Sequence, residues 1–449
     1  MERSRFPHPL ILLVGCILAA TIATWTLPAG SYERREDPAT GRNVVVAGTY
    51  APVERSPVNL FDATVAIPKG LADAGDVVFL VFLIGGAFTV VDATGALRRG
   101  VASLVRRLGH REIIVIPLVS LVFAAGGAIE NMQEEIIALV PVLLVLTRRI
   151  GFTPMTAVAM SAGPAFVASA FSPMNPFQVG IAQRLAEVPL LSGWAFRLVF
   201  LTIALVFWIG MTMRHAVRTR VAPSVSGDEG IAEEAVSARD SGVLITVLLT
   251  FVVLIFGLIR LGWDFDHMSA LFFIMGIVAG VLGRLGVTGT AEAYVRGFRD
   301  MAYAALLIGF ARAIYVVLEQ GRVVDTIVHG MFTPIADLPV ALSALGMVVA
   351  HTAVHVPVPS VSGHAVLTMP VLVPLSDLIG LSRQVTILAY QMGGGLCDLV
   401  TPTNGALLAI LAAAGVRFDA WLRFVLWRWA ALLGLGIASI LIAIAIGLQ

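Results

Sequence analysis

The sequence predicts an all-α polytopic membrane protein, built as an inverted repeat with about nine spans, two re-entrant hairpins and two broken helices. Three observations carry the prediction. The first is composition: the 449 residues are 58% hydrophobic and 13% charged, with a mean hydropathy of +0.91. Soluble globular proteins hold about 25% charged residues. The second is a run that occurs twice, Ser172-Pro173-Met174-Asn175-Pro176 and Thr401-Pro402-Thr403-Asn404-Gly405, each time inside a long apolar segment. A helix needs only ~20 apolar residues to cross a bilayer, and a breaker at that depth is tolerated only where it lines a cavity or is buried in protein. The third is the register between the runs, 229 residues (401 − 172), which also aligns Pro141 with Pro370, Gly151 with Gly380 and Thr153 with Ser382. An ungapped match of residues and hydropathy over that offset marks an internal duplication.

The elements follow in order. An apolar run over 9–29 reads as a first span rather than a cleaved signal, because it is long and lacks a small-x-small site. A polar segment over 30–73 leads to a span over 75–97. Arg98, Arg99, Arg106, Arg107 and Arg111 make one basic loop, Arg148 and Arg149 a second, and Arg214, Arg218 and Arg220 a third. All three are expected on the cytoplasmic side, which puts the N-terminus inside. Between the first two loops, about 112–150 reads as a hairpin entering from the cytoplasm, its tip running from Gly126-Gly127 to Glu135. The broken helix 154–184 and a span over 193–213 complete a first repeat, 1–220. A Ser/Glu/Ala linker over 221–240 joins it to a second repeat, 241–449. That half carries spans at 241–261, 266–284 and 300–319, then a hairpin over about 340–380 with its tip at Val356 to Gly363. Its flanks bear mixed charge (Asp325, Asp337, Arg383), so it is expected to enter from outside. The broken helix 382–413 and a span over 421–447 follow. Residues 62–73 and 290–300 read as amphipathic arms lying on the membrane surface.

The chemistry concentrates at the breaks and tips. Proline removes a donor and pushes its predecessor out of the helical region, so Pro173 and Pro402 are expected to unwind their helices and free backbone carbonyls for a cation. Ser172, Asn175, Thr401, Thr403 and Asn404 add neutral oxygens and amides for substrate. The helix N-termini beyond each break favour an anionic group. Ionisable residues at membrane depth are functional candidates by default. Glu130, Glu134 and Glu135 at the first tip, and Asp398 three residues before Thr401, are therefore candidates for cation or proton coupling. The glutamates also fit helix N-terminal caps. Ser360, Ser362 and His364 at the second tip offer hydroxyls and an imidazole to a carboxylate, although serines there also suit a plain turn. Gln391 reads as interhelical packing, and Arg312 as either a substrate contact or, the favoured reading, a charge that snorkels or pairs within its span.

Several classes are set aside. Net charge of +1 with no basic stripe gives no nucleic-acid surface. Cys16 and Cys397 both lie in apolar segments and suggest neither a disulfide nor a metal site. His351 and His355 stand four apart without the Glu of a zinc-protease motif. No P-loop lysine and no nucleophile–base pair are present, so an enzyme is not expected. Na⁺ or H⁺ is the only cofactor expected, as a coupling ion.

The runs Met132-Gln-Glu-Glu-Ile, Ser172-Pro-Met-Asn-Pro-Phe-Gln-Val, Ser362-Gly-His-Ala-Val-Leu-Thr-Met-Pro, Ser382-Arg-Gln-Val and Leu399-Val-Thr-Pro-Thr-Asn-Gly resemble the YfcC-like branch of the C4-dicarboxylate anaerobic carrier family. That family belongs to the ion transporter superfamily. The resemblance covers nearly the whole chain. It implies opposed hairpins and broken helices, an elevator movement of a transport domain against a scaffold, a homodimer, and a bacterial inner-membrane location. It places Ser172, Asn175, Thr401, Thr403 and Asn404 at the unwound segments, and the stretches from Glu130 to Glu135 and from Ser360 to His364 at the tips. The Ser-Asn-Thr signature of the superfamily's divalent anion/sodium symporters is absent from both tips. Relatives in the branch are assigned dicarboxylates and basic amino acids, which leaves the substrate's charge open. The expected function is secondary active transport of a small carboxylate-bearing metabolite, C4-dicarboxylate or amino acid, driven by Na⁺ or H⁺ or by exchange. The rival reading is a passive channel or pore for small anions.

Overall fold

The computed structural model describes all residues except 1–8, 38–41, 47, 98, 101–102, 104–108, 222–235, 262 and 449. Arg98, Arg106, Arg107 and most of the 221–240 linker therefore lie outside the described residues, as do the side chains of Arg111, Glu130 and Asp337. The described chain is nearly all helix, and eight helices are long and apolar enough to cross a membrane.

Helix α1 (Pro9–Thr26) leads into two short antiparallel ribbons, β1 (Gly30–Ser31) with β4 (Ala51–Pro52) and β2 (Arg34–Asp37) with β3 (Arg42–Val45). This polar segment docks on the second half of the chain: Asp325 accepts from the Tyr32 N–H at 2.9 Å and pairs with Arg34 at 2.8 Å. Helix α2 (Leu60–Asp73) starts where the Asn59 side chain accepts from the Asp62 N–H. Ala63, Ala66 and Gly70 are buried along one of its faces, as a surface arm over 62–73 would not require.

Helix α3 (Gly75–Ala93) crosses the long α11 (Gly286–Gln320) at a seam of small residues. A Cβ on Gly297 would lie 2.6 Å from both the Gly85 carbonyl and the Gly86 Cα, so the two backbones nearly touch. The 290–300 stretch is therefore no separate arm. With no breaker between Gly289 and Gln320 it continues the span as one 35-residue helix. Helices α9 (Ala238–Phe256) and α10 (Phe265–Leu282) pack on each other, and α10 also packs on α3.

The remaining elements come in two series. In the first, α4 (Val115–Glu130) and α5 (Glu135–Ile150) both pack on α6 (Pro154–Phe171). Every residue of α6 from Thr156 to Phe171 is buried, as expected of a helix apolar all round. A five-residue π turn (Pro176–Gly180), α7 (Ile181–Leu185) and α8 (Trp194–Arg218) follow. In the second series, after α12 (Val324–Phe332), helices α13 (Val340–His355) and α14 (Val361–Leu378) both pack on α15 (Arg383–Gly394). A 3₁₀ turn (Gly395–Leu399), α16 (Gly405–Ala413) and α17 (Phe418–Ala445) complete the chain. Gly151 (φ +83°) and Gly380 (φ +74°), which the 229-residue offset pairs, both end their helices in the left-handed region.

Two tip boundaries differ from the expectation. Gly126 and Gly127 lie within α4, not at its turn, and the helix ends at Asn131 (φ +56°), whose N–H bonds the Gly127 carbonyl. The glycine is needed for crossing, because a Cβ on Gly127 would sit 2.1 Å from the Ala165 carbonyl oxygen of α6. At the other tip Ser360 is the N-cap, accepting from the Gly363 N–H, so Ser362 and His364 belong to the helix rather than the turn.

Candidate functional site

Both predicted breaks interrupt their helices, and each asparagine caps the segment beyond. Asn175 Oδ1 accepts from the Phe177 and Gln178 N–H groups at 3.0 Å each. Asn404 Oδ1 accepts from the Leu407 N–H at 2.8 Å. From that shared role they diverge.

The first break is closed. Asn175 Nδ2 donates to the Gly127 carbonyl at 2.9 Å, and the Ser172 hydroxyl donates to the Ala128 carbonyl at 2.7 Å while accepting from the Met174 and Asn175 N–H groups. Ser172 and Asn175 are both fully buried. The carbonyl that Pro173 was expected to free, that of Ser169 one turn back, accepts from the Ser172 N–H at 3.1 Å, and the Ser172 carbonyl itself accepts from Gln391 Nε2 at 3.0 Å. Ser172, Pro173 and Asn175 do not line the cavity, and Ser172 and Asn175 fasten α4 to the broken helix. Gln391 is more than packing, since its Oε1 accepts from buried Arg197 at 2.7 Å.

The second break opens onto a cavity of about 770 Å³. Thr403, Asn404, Gly405 and Ala406 line one wall together with both tips: Asn131, Gln133, Glu134 and Glu135 from the first, Pro359, Ser360 and Ser362 from the second. The facing wall comes from other elements, chiefly Asp73 and Ala74 after α2, Asp264 and Met268 at the start of α10, and Arg312 and Tyr315 of α11. Arg312 pairs with Asp73 and lies 4.9 Å over the Tyr315 ring. The expected pairing of Arg312 holds, and it pairs at the cavity's edge.

Of the remaining predicted residues, Thr401 is buried behind Thr403, their hydroxyls 2.9 Å apart, and Thr403 donates onward to the Val356 carbonyl. Pro402 is half-buried beside them and does not line the cavity. His364 is fully buried and both its ring nitrogens are engaged, Nε2 with His351 Nδ1 at 2.8 Å and Nδ1 with His355 Nδ1 at 3.2 Å. In this structure it links two other histidines in the interior and does not line the cavity. Asp398, also buried, meets His355 Nε2 at 2.8 Å and accepts from Asn404 Nδ2 at 2.7 Å and Gln133 Nε2 at 3.0 Å.

Asn131, Gln133 and His355 were not picked out as site residues. Asn131 carries a readable signal, an Asn directly after an apolar helical run, where a left-handed cap is favoured. His355 was visible only as half of an i, i+4 pair weighed for zinc. Gln133 offers no local signal, because its partner Asp398 lies 265 residues away. Among the described residues no cluster of His, Cys, Asp and Glu is arranged to hold a metal ion.

A polar wall facing a cavity of about 770 Å³ within a bundle of apolar helices is the setting of a solute path. Residues 6–445 match the sequence model of the C4-dicarboxylate anaerobic carriers, DcuC. The chain belongs to the C4-dicarboxylate anaerobic carrier family. It is 32% identical to the "Putative basic amino acid antiporter YfcC" of Escherichia coli (strain K12), over 94% of this chain and 93% of that protein. It is 27% identical to a protein of Haemophilus influenzae described only as uncharacterized, over 99% and 97% of the two chains. Among solved structures it is similar to the Alcanivorax borkumensis YdaH transporter (17% identity, TM-score 0.44, covering 98% and 99%). It is also similar to Neisseria gonorrhoeae MtrF, from a class of antimetabolite efflux pumps (15% identity, TM-score 0.44, covering 97% and 95%). As a member of the C4-dicarboxylate anaerobic carrier family with, among the described residues, eight helices long and apolar enough to cross a bilayer, the chain is a multi-pass membrane protein of a transporter family.

Proposed function

We propose that the protein is a secondary active transporter of a small carboxylate-bearing metabolite, and that within that class it carries an amino acid with a cationic group. The observation that supports this best is the composition of the cavity wall. Asp73, Glu134, Glu135 and Asp264 face the space against one guanidinium, Arg312, which Asp73 already engages. A dicarboxylate would meet an excess of like charge there, at a cost that grows as water is excluded. An ammonium or guanidinium group suits Glu134 and Glu135. A carboxylate suits the hydroxyls of Ser360 and Ser362 and the N-terminus of α16 at Gly405 and Ala406. The name of the Escherichia coli relative points the same way.

The proposed mechanism is an elevator. The transport domain comprises the hairpins 112–150 and 340–380 with the broken helices 154–184 and 382–413, the two halves being inverted repeats of 1–220 and 241–449. The other spans form the scaffold, with the N-terminus cytoplasmic, in a homodimer in a bacterial inner membrane. Support comes from the cavity lying on the seam between those sets, so that sliding one past the other would carry its contents. The driving force is a gradient of Na⁺ or H⁺, or exchange.

Purified protein in proteoliposomes tests this with a panel of cationic amino acids, neutral amino acids and C4-dicarboxylates. Saturable uptake and counterflow of cationic amino acids are expected. Uptake of dicarboxylates alone overturns the substrate assignment, and ion conductance without saturable uptake replaces the carrier with a pore.

A further inference from the structure

Behind the cavity wall lies a line of groups that substrate binding does not use. It runs His351, His364, His355, Asp398, with contacts of 2.8, 3.2 and 2.8 Å between successive members, and all four side chains are buried. Its hydrogen atoms can be placed by counting. The Asp398 carboxylate accepts from His355 Nε2, so His355 Nδ1 is the acceptor for His364 Nδ1–H, and His364 Nε2 is the acceptor for His351 Nδ1–H. All three imidazoles are then neutral, every N–H points toward Asp398, and one lone pair remains at the far end. That lone pair is His351 Nε2, which is buried and has no hydrogen-bond partner among the described residues.

We infer that this line is a proton relay, and that the coupling ion of the carrier is H⁺, held at Asp398. The inference rests on the carrier reading for its coupling role. A proton arriving at His351 Nε2 moves the Nδ1 proton of His351 to His364 Nε2, that of His364 Nδ1 to His355 Nδ1, and that of His355 Nε2 to Asp398 Oδ1. The sum is one carboxylate plus one proton giving one carboxylic acid, with each imidazole neutral again as its other tautomer. The reverse sequence releases the proton.

The surroundings suit a proton better than Na⁺. Asp398 is approached by three N–H donors, from His355, Asn404 and Gln133, where a sodium ion would need oxygens. The other titratable groups against the line are engaged or set apart. Tyr390 packs edge-on against His351 and His364, and its hydroxyl donates to the Val361 carbonyl. Cys397 faces the Thr352 carbonyl. Phe332 packs on His351 from α12. Glu134 and Glu135 stand on the cavity side.

The relay reaches the substrate space through two residues. Asn404 and Gln133 bond the carboxylate and also line the cavity. When Asp398 is protonated, its Oδ1–H donates back to His355 Nε2, and the Asn404 and Gln133 amides then donate to a neutral carboxyl group instead of a carboxylate, which weakens both bonds. The two wall residues are thereby loosened, and this links protonation to occupancy.

Two measurements on the full chain test this. Infrared difference spectroscopy after an acid jump, with no substrate present, reads the carboxyl band of protonated Asp398. The band is expected in wild type and absent in Asp398→Asn. It should form at least about tenfold more slowly in His355→Gln and in His351→Gln, because the donor chain is cut. In proteoliposomes, substrate-linked proton movement should fall by a similar factor in both histidine variants while substrate counterflow, which also reports folding, stays close to wild type. A band that persists in Asp398→Asn, an unchanged rate in both histidine variants, or flux that follows Na⁺ alone overturns the relay. If the band behaves as expected and no panel compound shows counterflow, the carrier reading falls with the coupling role, and the proton site itself is upheld.

Discussion

The two breaks are cut to one sequence pattern and do different work. At the first, Ser172 and Asn175 turn their polar atoms onto the backbone of α4 and are sealed there. At the second, Asn404 holds a carboxylate on one side and faces the cavity on the other. A serine or threonine, a proline and an asparagine thus suffice to interrupt a membrane helix and cap its continuation. Whether the interruption becomes a joint or a site depends on what packs behind it. Behind Asn175 is a glycine that lets a neighbouring helix come close. Behind Asn404 is the aspartate at the end of the histidine line.

The contrast can be broken by making the same substitution on both sides. Asn175→Ala removes a donor to the Gly127 carbonyl and leaves the Phe177 and Gln178 N–H groups without their acceptor. Two of these groups, the Gly127 carbonyl and the Gln178 N–H, are buried, and at about 1–3 kcal/mol each a loss of about 2–6 kcal/mol in stability is expected. Thermal unfolding in detergent reads it, and uptake per folded molecule should stay close to wild type. Asn404→Ala is expected to lower melting by a similar amount, because it leaves the Leu407 N–H and the Asp398 carboxylate short of a partner, and in addition to lower uptake per folded molecule by about ten- to a hundredfold through the lost charge-assisted bond. Equal loss of uptake in both variants would mean that the first break also binds.

Packing gives the next test. Gly127→Ala pushes a methyl group into the Ala165 carbonyl of α6 and is expected to cost about 1–3 kcal/mol, seen as a lower melting temperature. Its effect should track that of Asn175→Ala, because both loosen one joint. Full stability in Gly127→Ala would show that α4 and α6 are free to part, contrary to a sealed break.

Much of this architecture could be read from the chain. Proline at 173 and 402, asparagine at 175 and 404, and the 229-residue register are local or periodic signals, and the helices end where they indicate. What lay beyond reading was the pairing of distant surfaces. Gly126-Gly127 looked like a turn because glycine pairs often are, yet the demand on Gly127 comes from Ala165. His364 looked available to a carboxylate because it follows a serine-rich tip, yet two other histidines take both its nitrogens. Composition could count the histidines and carboxylates, but only the fold lines three imidazoles up on Asp398.

A smaller effect is expected at the first tip. Glu134 lines the cavity, and Glu134→Gln keeps its shape while removing its charge. For a substrate with a cationic group, KM should rise about tenfold, which is the order of one ion pair in a partly hydrated site. The maximal rate should change little. The same variant should leave neutral amino acids unaffected, and uptake kinetics across the panel read the difference. A rise in KM for every substrate alike would assign Glu134 to the wall rather than to recognition.

The smallest effect expected is at the second tip, and it closes the contrast between sealed and open hydroxyls. Ser172 and Ser362 both stand beside a backbone turn, but Ser172 makes three hydrogen bonds within the fold, whereas Ser362 lines the cavity. Ser172→Ala leaves two N–H groups and a carbonyl without a partner and should lower the melting temperature. Ser362→Ala removes a hydroxyl that a substrate carboxylate can use, worth about 0.5–1.5 kcal/mol, and so should raise KM by only a few-fold with no change in melting. The two serines differ in where their bonds end, in the protein or in its cargo. Should Ser362→Ala lower the melting temperature while leaving KM untouched, the second tip would be structural, and the substrate's carboxylate would belong to the N-terminus of α16 alone.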